Sequence, residues 1–176
     1  MATYTVNTSA VTLRSGCKCT FGSPNDTYVR TRMYLKFDLS SYGIVLSTID
    51  TVALEMYVKT IYQSTGGGTS GPHDLYSGSA GDNWGTTLQA NAADFNSTVA
   101  NLEDSKTISS TGWLVWAVNK NNLNLSGTTY FKVRLTAGVE NGTGYEYVDF
   151  YSQNNATLRP VLRITLKSGR RIFVVT

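Results

Sequence analysis

The sequence predicts a single all-β domain, a jelly-roll-like antiparallel sandwich with at most one or two short helices, and three observations carry that prediction. Apolar and polar residues alternate along run after run, which is the period of a half-buried strand, and no long helical period competes with it. Turn-forming residues separate the runs: Gly66-Gly67-Gly68, Gly71-Pro72, Gly78, Gly81, Ser126-Gly127 and Asn141-Gly142. The 176 residues suffice for one filled core but not for two ordinary domains, and neither an internal repeat nor a linker divides them.

The clearest strand runs from Arg32 to Leu39, with Met33, Leu35, Phe37 and Leu39 toward the core and Tyr34, Lys36 and Asp38 outward. The next, Thr51 to Lys59, sends Val52, Leu54, Met56 and Val58 inward and Glu55, Tyr57 and Lys59 outward. Between Gly81 and Ser110 the alternation lapses, which reads as a long excursion with one short helix near Phe95 to Leu102. Further strands are expected at Trp113 to Val118, Tyr130 to Thr136, Tyr145 to Ser152 and Val161 to Leu166. Phe131, Val133, Leu135, Val148 and Phe150 fall on their core faces, and Trp113 and Trp116 are assigned to the core as well. A last short strand, Ile172 to Val175, follows the turn at Ser168-Gly169.

Composition narrows the function classes. Charged residues make up only 15%, while Thr, Ser, Asn, Gly and Tyr abound, a mixture that suits a β-protein with polar loops and is common in extracellular and virion proteins. No stretch approaches the roughly 18 apolar residues of a membrane span, so no membrane partner is expected. The formal charge of +3 is spread along the chain, and its densest basic run, Lys167 to Arg171, is too short for a nucleic-acid footprint and reads as a solvated hairpin turn. Cys17 and Cys19 would share one face of a strand, where a bridge across a single residue is strained; they are read as free thiols. The opening Met1 to Val6 has no basic region followed by an apolar one, so an exported chain would already have lost its signal. Six Asn-x-Ser/Thr triplets matter only if the chain is exported.

No catalytic constellation emerges, and no cofactor or metal is expected. The one histidine, His73, reads as a loop or strand-end residue, and neither a Gly-x-Ser-x-Gly elbow nor a phosphate-cradling loop is present. Glu55 and Asp149 can share an outward face, but with Lys36, Lys132 and Arg134 placed there too they read as cross-strand ion pairs rather than a glycosidase pair. Asp82 with Asn83, and Asp26 with Asn25, read as turn residues rather than calcium ligands. The candidate binding face is the outward set Tyr34, Tyr57, Tyr130, Tyr147 and Tyr151, interleaved with Lys36, Arg134 and Asp149. Three readings of it stay open: a stacking platform for sugars, a protein interface, or tyrosines that simply suit half-exposed strands. Trp84, alone in a Gly-rich loop, is a separate contact candidate.

Several segments resemble a known family. Arg30-Thr31-Arg32-Met33-Tyr34-Leu35-Lys36-Phe37-Asp38-Leu39-Ser40 resembles the "arginine, then leucine-x-phenylalanine-aspartate-leucine-serine" strand of DNRLRE domains, the disaggregatase-related modules. Ala53 to Val58, the loop around Trp84, Gly112 to Val118, Phe150-Tyr151-Ser152 and Arg159-Pro160-Val161-Leu162 are similar to further family segments, in the same order. The resemblance spans about Tyr4 to Leu166 and implies a jelly roll related to carbohydrate-binding modules, mostly a non-catalytic part of secreted or surface proteins.

Two functions are therefore expected as alternatives. One is a structural component of a virion surface, such as a capsid decoration or fibre-associated protein with possible glycan adhesion; virions assemble in the cytoplasm and need no signal. The other is a carbohydrate-binding module of a secreted or cell-surface protein. Protein partners in a larger assembly and a polysaccharide are the expected contacts, and nucleic acid is not. The segment Ile172-Phe173-Val174-Val175 lies beyond the family-like region and is apolar on both faces, so it reads as an assembly strand covered on its second side by another chain or a long loop.

Overall fold

The computed structural model describes residues 12–20, 27–63, 72–78, 101–136, 145–167 and 172–175. Over these residues the period-2 segments form eleven strands: β1 Thr12–Thr20, β2 Thr27–Thr31, β3 Met33–Asp38, β4 Ile49–Gln63, β5 Pro72–Gly78, β6 Asn101–Thr107, β7 Gly112–Ala117, β8 Thr128–Leu135, β9 Tyr145–Tyr151, β10 Val161–Leu166 and β11 Ile172–Val175. The helical segments among the described residues are three single 3-10 turns.

The strands build two antiparallel sheets. One has seven strands in the order β11-β10-β4-β9-β1-β2, with β7 also on β4; the other has four, in the order β3-β8-β5-β6. The layers β1-β9-β4-β7 and β3-β8-β5-β6 face each other, and the chain switches sheets at most of its connections, which is jelly-roll winding in one domain. Ala53 pairs with both Ala117 and Arg163, and Val58 with both Gly112 and Phe150, so β7 lies along one edge of β4 while β10 and β9 share the other. Strands β9 and β10 thus act as one interrupted strand, from which residues 152–160 loop out.

The core lies between the layers. Leu54, Met56 and Val58 of β4, Phe131 and Val133 of β8, and Val148 and Phe150 of β9 are fully or almost fully buried, as are Met33, Phe37, Leu75, Leu162 and Ile164. Phe37 meets Phe131 edge-on at 5.9 Å between ring centroids, and Trp116 lies 5.9 Å from Phe150.

Four strands are absent from the sequence reading, and each has a reason. The inner faces of β1 and β5 carry polar residues, Ser15 on one and His73 and Ser77 on the other, all fully buried, so no apolar alternation marks them. His73 is therefore a fully buried residue at the start of β5, the strand-end placement rather than the loop; its Nε2 lies 3.4 Å from the Ser15 carbonyl oxygen, linking the two sheets. Strand β6 has Leu102 as its one apolar residue. It also corrects the expected helix near Phe95 to Leu102, because Asn101 and Leu102 open this strand; residues 95–100 lie outside the described residues. Strand β2 begins at Thr27 and pairs with β1 from Thr31↔Gly16 to Thr27↔Thr20, a non-local partner that local pattern does not reveal. At the other end β11 extends its own sheet on β10, with Val175 buried and Val174 47% exposed, so among the described residues nothing covers Val174 fully.

Candidate functional site

Register alone assembles a face on the outside of the seven-stranded sheet. Because Tyr57 pairs with Trp113, and Val58 with Phe150, the outward side chains Trp113, Tyr57 and Tyr151 fall in one row across β7, β4 and β9. The rings touch: Tyr57 meets Trp113 edge-on at 5.5 Å and Tyr151 at 5.9 Å. Trp113 and Val115 are each 49% exposed, an unusual load of apolar surface for the outside of a sheet. On one side of the row, Glu55 accepts two bonds from the Arg163 guanidinium, at 2.5 and 2.9 Å. On the other side, Asp149 accepts two from Arg14, at 2.6 and 2.8 Å. Each guanidinium is held above its ordinary pKa, chiefly by its hydrogen bonds to that carboxylate.

A β-bulge extends the face. Val58 pairs with Phe150 and Thr60 with Asp149, leaving Lys59 as the extra residue of β4. Strict alternation would put Tyr57, Lys59 and Ile61 outward and Tyr62 inward. The inserted residue reverses the phase: Ile61 packs on the core, and Tyr62, 37% exposed, stands outward opposite Tyr147. Their rings lie 4.4 Å apart, and the Arg14 guanidinium caps Tyr147 at 4.0 Å from the centroid. Lys59 is exposed, donates to the Thr12 hydroxyl at 3.2 Å and lies 5.6 Å from the Tyr151 ring. Aromatic rows and ion-pair rows therefore alternate along β4.

The structure divides the sequence-derived set between the two outer faces of the sandwich. Tyr57, Tyr147 and Tyr151 join the face just described, whereas Tyr34, Lys36, Tyr130 and Arg134 lie on β3 and β8 of the opposite sheet. A single five-tyrosine platform is thus ruled out, because the core separates the two groups. The four-stranded face is largely committed to internal bonds. Arg134 donates to the Tyr76 hydroxyl at 2.8 Å, and Tyr76 donates to Asp74 at 3.3 Å. Asp74 also accepts from Ser105 at 2.7 Å and Thr136 at 2.9 Å. Lys132, expected outside beside Glu55 and Asp149, is instead 2% exposed between its register neighbours Tyr34 and Tyr76. Lys36 and Arg134 likewise lie on the sheet opposite those carboxylates, whose partners are Arg163 and Arg14.

Trp113 corrects a second expectation, since it is exposed while Trp116 is fully buried. Residues three apart on a strand point to opposite faces, so that signal was present in the spacing. Arg14, Lys59, Tyr62, Val115 and Arg163 are the other members of the face that local pattern does not mark as contacts. Trp84 and the pairs Asp82/Asn83 and Asp26/Asn25 lie outside the described residues. Neither a family model nor a curated protein matches this sequence.

Proposed function

We propose that this protein is a non-enzymatic binding module that holds a polysaccharide on the aromatic face of its seven-stranded sheet, as a component of a virion surface. The observation that carries the reading is the outward row Trp113–Tyr57–Tyr151, half-exposed at Trp113 and bordered by two ion pairs. Ring faces are electron-rich and attract the C–H faces of sugar rings, while neighbouring charged groups bond the hydroxyls. Glu55 and Asp149 are each gripped by both N–H groups of an arginine fork, an arrangement that suits fixed acceptors better than proton delivery. The jelly roll recurs in both capsid proteins and lectins, which supports the virion setting by analogy of fold. The same face, with the family-like sequence segments, supports the second reading, a carbohydrate-binding module of a secreted or cell-surface protein.

The test is binding to a polysaccharide panel by affinity electrophoresis, with wild type, Trp113→Ala and Tyr57→Ala compared. Loss of one stacking ring should weaken binding by about 3- to 10-fold without lowering the unfolding midpoint by more than a few degrees. No binding across neutral and acidic polymers, or full binding by both variants, would overturn the proposal.

A further inference from the structure

Among the described side chains of this face the charges do not balance, and the imbalance sits at Lys59. Arg14 is matched by Asp149 and Arg163 by Glu55. Lys59 has no carboxylate partner among the described residues; its ammonium rests on a neutral hydroxyl and near the edge of the aromatic row. It is also the bulge residue, the one position where β4 departs from regular pairing. Bulges re-aim side chains and cluster beside binding sites. This one does two things at once: it directs a cation outward between two aromatic rows, and it turns Tyr62 to the same side as Tyr57. From Tyr57 to Tyr62 is five residues of β4, which at about 3.3 Å each separates the two rows by roughly 15 Å. That is too long for one sugar ring and suits a chain lying along the strand.

Resting on the binding reading above, we infer that the ligand is a linear polysaccharide bearing uronic-acid carboxylates, which runs along β4, stacks on the Trp113–Tyr57–Tyr151 row, sets a carboxylate on Lys59 and continues over Tyr62 and Arg14. A single ammonium is a compact charge that complements one carboxylate per passing unit. A densely sulfated chain calls for a cluster of unmatched cations, and the other two arginines of this face are already matched. Because Lys59 is exposed, its attraction is screened by salt, so the acidic preference fades as ionic strength rises.

The experiment measures binding of the full chain to polygalacturonate, to the same polymer with its carboxyls reduced, and to dextran sulfate, at low and at 0.5 M salt. Wild type should favour polygalacturonate over the reduced polymer by about 3- to 5-fold at low salt, the range of an exposed charge pair, and lose most of that preference at high salt. Lys59→Gln should abolish the preference while leaving affinity for the reduced polymer unchanged. Tyr62→Ala should weaken binding to the long polymer and leave binding to galacturonate dimers as it was. Equal binding of the acidic and reduced polymers overturns this inference and leaves the polysaccharide reading intact. Tighter binding of dextran sulfate overturns the uronic-acid assignment. Failure of all the polymers, neutral ones included, removes the underlying reading with it.

Discussion

Trp113 and Trp116 lie three residues apart on β7 and separate the two roles of this sheet, so truncating each in turn gives opposite outcomes. Trp116 is fully buried, wedged by Phe150 against the core; removing an indole from such a site costs about 3–5 kcal/mol in lost burial and residual cavity. Its indole N–H is buried and has no acceptor among the described residues, so Trp116→Ala also removes a poorly satisfied donor. That offset places the expected loss toward the lower end, about 3 kcal/mol. At roughly 2–4 °C per kcal/mol for a domain of this size, the midpoint should fall by about 6–12 °C. Trp113 is half exposed and keeps one edge-on contact, with Tyr57, so Trp113→Ala should cost no more than about 1 kcal/mol. Urea denaturation with the slope monitored for both variants measures the contrast, and polysaccharide binding should weaken, by about 3- to 10-fold, in the second variant only. Equal destabilisation by the two truncations, or a stable Trp116→Ala, would refute the assignment of faces.

The bulge and a half-buried carboxylate supply two further tests. Deleting Lys59 removes the extra residue and leaves Thr60, Ile61 and Tyr62 facing as before in a regular ladder, so it should cost no more than about 1 kcal/mol, close to Lys59→Ala at under about 0.5 kcal/mol; a loss of about 2–4 kcal/mol on deletion in urea denaturation would mean that Lys59 is an ordinary ladder residue whose removal turns Ile61 to solvent. Burial tends to raise the pKa of Asp104, but hydrogen bonds from the Ala117 N–H, from Lys106 and from the Ser105 N–H outweigh it and hold the carboxyl below its ordinary 3.8. A depressed carboxyl contributes stability that is full above the unfolded value near 3.8 and is lost as pH falls through the lower folded value. Asp104→Asn should therefore flatten the fall in stability below about pH 4, against a background that keeps Asp38, lowered by Ser40 in the same way; parallel acid curves would contradict this.

Residue type and period two were enough to place the strands whose inner faces are apolar. In β3, in β4 as far as Val58 and on the inner face of β8 the partition free energy of the apolar side chains points the same way as their place in the alternation, so local pattern and final burial agree there. Period two is silent where polar side chains face inward, as Ser15 and His73 do. Such residues are tolerated because a partner from the opposite sheet meets them, and that partner is far away in sequence.

The sequence by itself thus determined the class: an antiparallel β-sandwich, with most of its core and with tyrosines among its outward residues. Only the tertiary structure decided which outward residues share a face. Alternation states that a side chain points away from its own strand's core side, but it does not state which sheet the strand joins. Tyr34 and Tyr57 satisfy the same local rule and end on opposite sides of the molecule, because β3 pairs with β8 and β4 with β7, β9 and β10. The bulge at Lys59 belongs to the same category. One unpaired residue shifts the phase of all that follows it, and nothing in the local sequence marks the place, since the register is set jointly by the partner strands on both edges of β4.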